Sequence, residues 1–266
     1  MKYLEITCEN HLATVTLNRP DVRNAFNEAL IGELTRAFID LGARDDVRCI
    51  VLAANGKAFC AGADLNWMRS MADYSHAQNL EDAGRLATML ATIYRCPKPT
   101  IARIQGDVYA GGTGLVAACD MAVSVETANF CLSEARLGLV PSTISPYVIR
   151  ALGARMAHRY FLTAERFDAA TALRIGFVHE TTTAVALDAK VAELVQLLLA
   201  NGPKAVPLCK KLVQDVAGQE ITPELVQLTV ASIADVRVSD EGREGLQSFL
   251  QKRKPAWLLS AAGESA

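Results

Sequence analysis

Long apolar runs are missing from this chain: polar residues break every such stretch well short of the roughly 18 positions that a membrane-spanning helix needs. Charge of one sign is missing too. Lys and Arg number 27 against 29 Asp and Glu, a net charge of −2, which leaves no basic footprint for nucleic acid. The N-terminal "MKYLEITCEN" alternates apolar and polar residues and has no apolar h-region, so a secretory signal is not supported. No two of the seven cysteines (Cys8, Cys49, Cys60, Cys96, Cys119, Cys131, Cys209) form a CxxC pair, and none clusters with His at metal-ligand spacing. They are expected to be buried thiols of a reducing compartment, and the protein a soluble one of the cytoplasm. "GKAFCAG" lacks the spacing of a dinucleotide fingerprint, and no GKS or GKT supports a P-loop.

What remains is ample apolar material: 51% of 266 residues are hydrophobic and 21% charged, enough to bury a large core in one or two domains. "HLATVTLNRP" and "VRCIVLAANG" predict strands, and between them Leu30, Leu34, Phe38 and Leu41 recur at helical spacing. A Ser- and Asp-rich stretch from Ser70 to Gln78 reads as a mobile connection. Then come a helix, "LEDAGRLATMLATIYRCPKP", a strand, "TIARIQG", a glycine loop, a helix, "GTGLVAACD", and the strands "MAVSVE" and "ANFCLSE". Such alternation predicts an α/β protein with crossover connections. From residue 151 onward the pattern is helical except for "FVHETTT". "NGPKAV" suggests a boundary near residue 200, with a core at 1–200 and an all-α region at 201–266.

Two loops, "KAFCAGADLNWM" and "GDVYAGGTGLVAACD", each follow a β-rich run and place Ala and Gly just before a helical pattern. Backbone N–H groups freed there can point at an incoming oxygen, and two that converge make an oxyanion hole for a carbonyl becoming an enolate. Taken alone, each loop reads more readily as an ordinary tight turn.

"LNRPDVRNAF", "KAFCAGADL", "GDVYAGGTGLVAACDMAV", "ANFCLSEARLGLVPS" and "EGREGLQSFLQKRKPAW" stand in an order and spacing that resembles the enoyl-CoA hydratase/isomerase (crotonase) superfamily along essentially the whole chain. The resemblance implies a crotonase-like spiral of ββα repeats, a helical C-terminal trimerisation region, a homotrimer or homohexamer, and an acyl-CoA thioester substrate with no metal or redox cofactor. It implies that the N–H groups of Ala63 and Gly111 hold the thioester oxygen. Ala61, Ala63, Asp64 and Leu65 would line the adenine and pantetheine of CoA, with Ala25 near the adenine and Arg23 reaching a phosphate. Phe249 and Lys252 would contact the CoA of a neighbouring subunit. The plainer alternatives are solvated charges for Arg23 and Lys252, and helix core for Phe249.

Two-glutamate hydratases of this family carry a first Glu where this chain has Gly114 and a second where it has Glu134. Glu134 is therefore the expected acid/base, the alternative being an N-cap or a salt bridge with Arg136. Gly114 would leave room for a branched acyl chain, in a pocket also lined by Trp67, Met68, Tyr109 and Arg136. Arg136 and Arg150 are the cations nearest in sequence for a distal carboxylate, the hydroxyls of Thr113 and Ser145 are among those able to hold a water, and Asp120 reads as structural. One carboxylate can serve a hydratase, and it also suffices for a double-bond isomerase. The loss of one also suits a non-catalytic acyl-CoA-binding protein. "CAGADLNWMRSM", "CLSEARLGLVPSTISPYV" and the tail look like bacterial methylglutaconyl-CoA hydratases and their isoprenoid-chain relatives, of leucine and acyclic-terpene breakdown, and "PSTISPYV" suggests a remodelled acyl pocket.

Overall fold

The computed structural model describes residues 1–259. It opens with a hairpin in which β1 (Leu4–Glu9) and β2 (Leu12–Leu17) pair antiparallel across Asn10 and His11, held at φ of 49° and 65°. Two such residues give the turn whose twist matches that of its strands. In α1 (Glu28–Ala43) the Asn27 side chain accepts from the Leu30 N–H at 2.9 Å, and Leu30, Leu34, Phe38 and Leu41 are buried as their spacing requires.

Three passes of strand, strand and helix follow. β3 (Cys49–Ala54) and β4 (Ala58–Cys60) lead to α2 (Leu65–Ala72) and α3 (His76–Tyr94), and β5 (Thr100–Ile104) and β6 (Asp107–Tyr109) lead to α4 (Gly111–Ala118). β7 (Met121–Val125) and β8 (Asn129–Cys131) lead to a 3-10 turn at Glu134–Leu137 and then α5 (Ser145–Thr163). The chain continues through β9 (Arg166–Asp168), α6 (Ala169–Arg174), β10 (Glu180–Thr182), α7 (Leu187–Ala200), α8 (Ala205–Val216), α9 (Pro223–Val238), α10 (Asp240–Leu250) and α11 (Ala256–Leu259).

In each pass the first strand joins a six-stranded sheet, β1-β2-β3-β5-β7-β10, and the second joins a four-stranded one, β4-β6-β8-β9. From β2 to β10 the first sheet is parallel, as are β4, β6 and β8, so the chain winds as a spiral of ββα turns. β3 is buried at all six positions, as a central parallel strand covered on both faces must be. Successive turns stack closely. A Cβ at Gly106 would lie 2.0 Å from the Lys57 carbonyl oxygen, so only glycine fits where the β5–β6 link crosses the β3–β4 link.

Several segments differ from the sequence-based expectation. "KAFC" and "GDVY", expected to be loop, form β4 and β6, and the region expected to be helical after residue 151 contains β9, paired antiparallel with β8. Each of these strands has three residues, too few to show an alternating period. Ser70 to Gln78, expected to be mobile, is a tight joint: α2 runs to Ala72, and Ser75 and Gln78 form a reciprocal capping box on α3. Among the cysteines, Cys49, Cys60, Cys96 and Cys131 are buried, Cys8 and Cys119 are half-buried, and Cys209 is exposed rather than buried. Burial pushes the Cys49, Cys60 and Cys119 thiols up to about 12, which makes them poor nucleophiles.

Asp120 has the structural role its position suggests: one carboxylate oxygen accepts from the Thr100 N–H and hydroxyl at 2.8 and 2.9 Å and from Lys210 Nζ at 2.7 Å. Lys210 lies on α8, which is further tied to the core by Gln214 donating to the Tyr94 carbonyl at 2.7 Å. Beyond α8 the packing thins. No residue of α9 is buried and only Ser248 of α10 is. Of the expected helical region 201–266, residues 260–266 lie outside the described residues. No helix among the described residues is long and apolar enough to cross a membrane, and no three His, Cys, Asp or Glu side chains among them come together as a metal site needs.

Candidate active site

Parallel strands β4, β6 and β8 end side by side, and the residues just past their C-terminal ends are those the sequence singled out: Ala63 after β4, Gly111 after β6 and Glu134 after β8. Ligand crevices of open parallel sheets form at this edge.

The first loop is zipped to the segment following β2. Ala61 N–H donates to the Arg23 carbonyl (3.0 Å), Phe26 N–H to Gly62 (2.7 Å) and Asp64 N–H to Phe26 (2.8 Å). This bridge brings Arg23 and Ala25 beside Ala61, Asp64 and Leu65, as expected of one binding surface. In a parallel bridge of this form the flanking residues make the bonds, so the N–H of Ala63 itself points the other way. The second loop abuts the first: a Cβ at Gly62 (φ 89°) would lie 2.9 Å from the Ala110 Cβ and 3.7 Å from the Gly111 nitrogen. Ala110 has φ 45° and ψ −123°, a conformation that costs a residue with a Cβ roughly 1–3 kcal/mol. Its surroundings enforce it, the Ala110 N–H donating to the Cys131 carbonyl at 2.8 Å while its own carbonyl accepts from the Thr113 N–H (2.8 Å) and hydroxyl (2.7 Å). The Gly111 N–H is thereby aimed out of the first turn of α4, where the helix dipole adds positive potential. Among the described residues, neither it nor the Ala63 N–H has a protein acceptor.

Two carboxylates near these amides have opposite fates. Asp64 is buried at the N-terminus of α2, accepting from Asn66 N–H (2.8 Å) and Trp67 N–H (3.4 Å) on one oxygen and from Arg19 Nη2 (2.9 Å) on the other. Burial would raise its pKa, but these donors outweigh it and hold the carboxyl below the usual range. Glu134 is the reverse. Its Oε2 is shut away from solvent with no hydrogen-bond partner, it forms no ion pair among the described residues, and burial pushes its carboxyl up. The expected alternative of a salt bridge with Arg136 is not formed: Arg136 Nη2 instead donates to the Ala164 carbonyl at the end of α5 (2.6 Å). The two carboxyls are thus pushed in opposite directions, Asp64 held ionised by its donors and Glu134 made easier to protonate by burial.

The remaining candidates divide. Trp67 is buried on α2 with Nε1 donating to Asp82 (3.2 Å), Met68 is half-buried beside it, and the Tyr109 hydroxyl is held by Asp107 (3.0 Å). The hydroxyls of Thr113 and Ser145 also donate to backbone carbonyls. Phe249, 81% exposed, and Lys252 are not gathered with the strand ends, standing on and just past α10, which packs against α9. Arg150 stands in a separate cleft of about 950 Å³ at the N-terminal ends of β5 and β7, bonded to the Tyr94 hydroxyl at 3.0 Å; that cleft contains none of Ala63, Gly111 and Glu134.

The space at Gly114 is not open to an acyl chain as expected. A Cβ there would lie 2.3 Å from Ile144 Cγ2 and 2.8 Å from Ile144 Cβ, so the isoleucine already fills it. Ile144, within "PSTISPYV", is one residue that sequence reasoning missed. Arg19 is another: it clamps Asp64, donates to the Ala25 carbonyl and lies over the Tyr3 ring at 4.6 Å, which joins the first loop to the segment following β2.

A family model described as enoyl-CoA hydratase/isomerase matches residues 7–259. The chain belongs to this family. The crystal structure of an enoyl-CoA hydratase from Shewanella pealeana is 42% identical, with a TM-score of 0.93 over 96% of each chain. An enoyl-CoA hydratase structure from Mycobacterium smegmatis is 34% identical, with a TM-score of 0.91 over 96% of this chain and 99% of that one. Enoyl-CoA hydratase EchA19 of Mycobacterium tuberculosis is 31% identical over 255 residues, 92% of each chain. The spiral of ββα turns is thus the crotonase-like fold, and an acyl-CoA thioester is the substrate class of the family.

Proposed function

We propose that the protein adds water to a branched α,β-unsaturated acyl-CoA, 3-methylglutaconyl-CoA or a near analogue, through an enolate held by the Ala63 and Gly111 amides. The observation that carries this reading is the half-buried Glu134, whose Oε2 is shut away from solvent without a partner, at the same sheet edge as two N–H groups without acceptors. With the thioester oxygen on those amides, Glu134 takes a proton from water as the hydroxide oxygen bonds to Cβ. The Cα–Cβ double bond shifts its electrons to the thioester oxygen, and the neutral Glu134 then returns its proton to Cα. Atoms balance with one water consumed, and CoA enters only as part of the substrate. The branched acyl group is supported by "CLSEARLGLVPSTISPYV" and its likeness to methylglutaconyl-CoA hydratases.

A second reading, double-bond isomerisation, is favoured by the apolar filling at Gly114, since moving a proton from Cα to Cγ needs only one base. Absorbance of the conjugated thioester separates the two. Hydration of a 2-enoyl-CoA is expected to remove it; a 3-enoyl-CoA that gains it, with no loss from the 2-enoyl form, overturns the hydratase reading.

The assembly proposed with this function is a homotrimer or homohexamer in the cytoplasm. On α9, Leu228 and Ile233 are 47% and 48% exposed with Leu225 half-buried beside them, and Phe249 and Leu250 on α10 are 81% and 77% exposed. So much apolar surface on adjoining helices marks an interface. Sedimentation at micromolar concentration is expected to show a trimer or hexamer, and a monomer there overturns the proposal.

A further inference from the structure

Gly111 and Gly114 lie three residues apart on α4, so they share a side of the helix and stand about 4.5 Å apart along its axis. A side chain at 114 would therefore project within one turn of the N–H that holds the thioester oxygen, the position from which a second acid/base group could reach the acyl carbons. That volume is taken from the other side. Ile144, 2% exposed at the N-cap of α5, puts Cγ2 at 2.3 Å and Cβ at 2.8 Å from where a Cβ of residue 114 would be, and Leu90 Cδ2 closes the remainder at 3.6 Å. Real Cβ atoms do not approach so closely, so no side chain enters at 114 until Ile144 leaves.

We infer that Ile144, acting through Gly114, is the positioning residue that keeps the number of ionisable groups at the acyl site at one. It walls off the face of α4 next to the oxyanion donor with apolar atoms and confines proton traffic to the Glu134 side. This inference rests on the enolate reading of the site. It makes the glycine and the isoleucine a size-exchanged pair, in which changing either alone is costly and changing both is tolerated.

The test has a thermal arm and a kinetic arm. Gly114→Ala is expected to lower Tm by several degrees in the wild-type background and in Ile144→Val, which retains Cβ and Cγ2. It is expected to leave Tm nearly unchanged in Ile144→Gly, which removes both clashing atoms at an N-cap position where glycine is tolerated. An equal fall in all three backgrounds, or no fall in any, overturns the inference. In the kinetic arm, Gly114→Glu alone is expected to lose at least about 10²-fold in turnover and to lower Tm. Combined with Ile144→Gly it is expected to fold and to show a second ionisation in the pH profile of kcat/KM on a short linear 2-enoyl-CoA, where the wild type shows one. A folded double variant with a single ionisation, or Gly114→Glu alone with native Tm and two ionisations, overturns it. The thermal arm needs no substrate, so it decides the exclusion of side chains at 114 even if the hydratase reading fails in the absorbance assay.

Discussion

Glu134→Gln is expected to lower turnover at least about 10³-fold while the affinity for a CoA thioester stays nearly unchanged. The substitution keeps size and hydrogen-bonding capacity but cannot take a proton, so a loss of tenfold or less shows that another group carries the chemistry. Two further readouts follow from the same buried carboxyl. Glu134 must be ionised to begin the reaction in either direction, and burial raises its pKa, so kcat/KM is expected to fall as pH drops through a value above the ordinary carboxylate range. Stability moves oppositely. With the folded pKa above the unfolded one, the native state holds more protons between them, and stability present below the unfolded value is lost as pH rises through the folded value. The Gln variant escapes that loss. Its Tm is expected to exceed that of the wild type by a margin that widens as pH rises from the ordinary carboxylate range through the raised folded value, as a catalytic group kept at the expense of stability should behave. A Tm difference independent of pH overturns the burial account of Glu134.

Sequence patterns disclosed the site better than the fold around it. Glu134 was picked out only by the resemblance to two-glutamate hydratases, whereas the loops at Ala63 and Gly111 and the structural role of Asp120 were legible, because small residues in loops preceding helices leave local marks. The buried face of α1 was legible for the same reason, since its stripe from Leu30 to Leu41 repeats over about three turns. The second sheet was not. β4, β6 and β9 have three residues each and draw their stability from neighbours 20 to 50 residues away, so "AFC", "DVY" and "RFD" carry no period of their own. Ile144 and Arg19 were missed for a related reason. Nothing in "STIS" says that an isoleucine side chain will take the place of one missing 30 residues earlier, and nothing in "LNRP" says that the guanidinium will reach Asp64 45 residues on. The glycine at 114 was visible, but what filled its space depends on tertiary packing alone.

Ala63→Pro tests the other half of the proposed chemistry, stabilisation of the enolate oxygen. Proline deletes one N–H and leaves the bonds that fix the loop, because Gly62, Phe26 and Asp64 supply the bridge and the Arg19–Asp64 pair at 2.9 Å anchors its end. Gly62 precedes the new ring and already has φ 89°, outside the helical region that proline disfavours in the residue before it. The fold should therefore survive, with Tm within a few degrees of the wild type. Turnover is expected to fall about 10²- to 10³-fold, the usual result of removing one preorganised donor from an oxyanion hole. The substitution is expected to affect kcat more than KM, because the hydrogen bond strengthens as charge moves from the double bond onto the thioester oxygen. Ala63→Gly, which retains the N–H, is the control, and its turnover should stay within about tenfold of the wild type. Equal losses in the two variants would trace the effect to loop geometry, whereas unchanged turnover in a folded Ala63→Pro protein would remove this amide from the oxyanion hole and leave Gly111 to hold the thioester with some other partner.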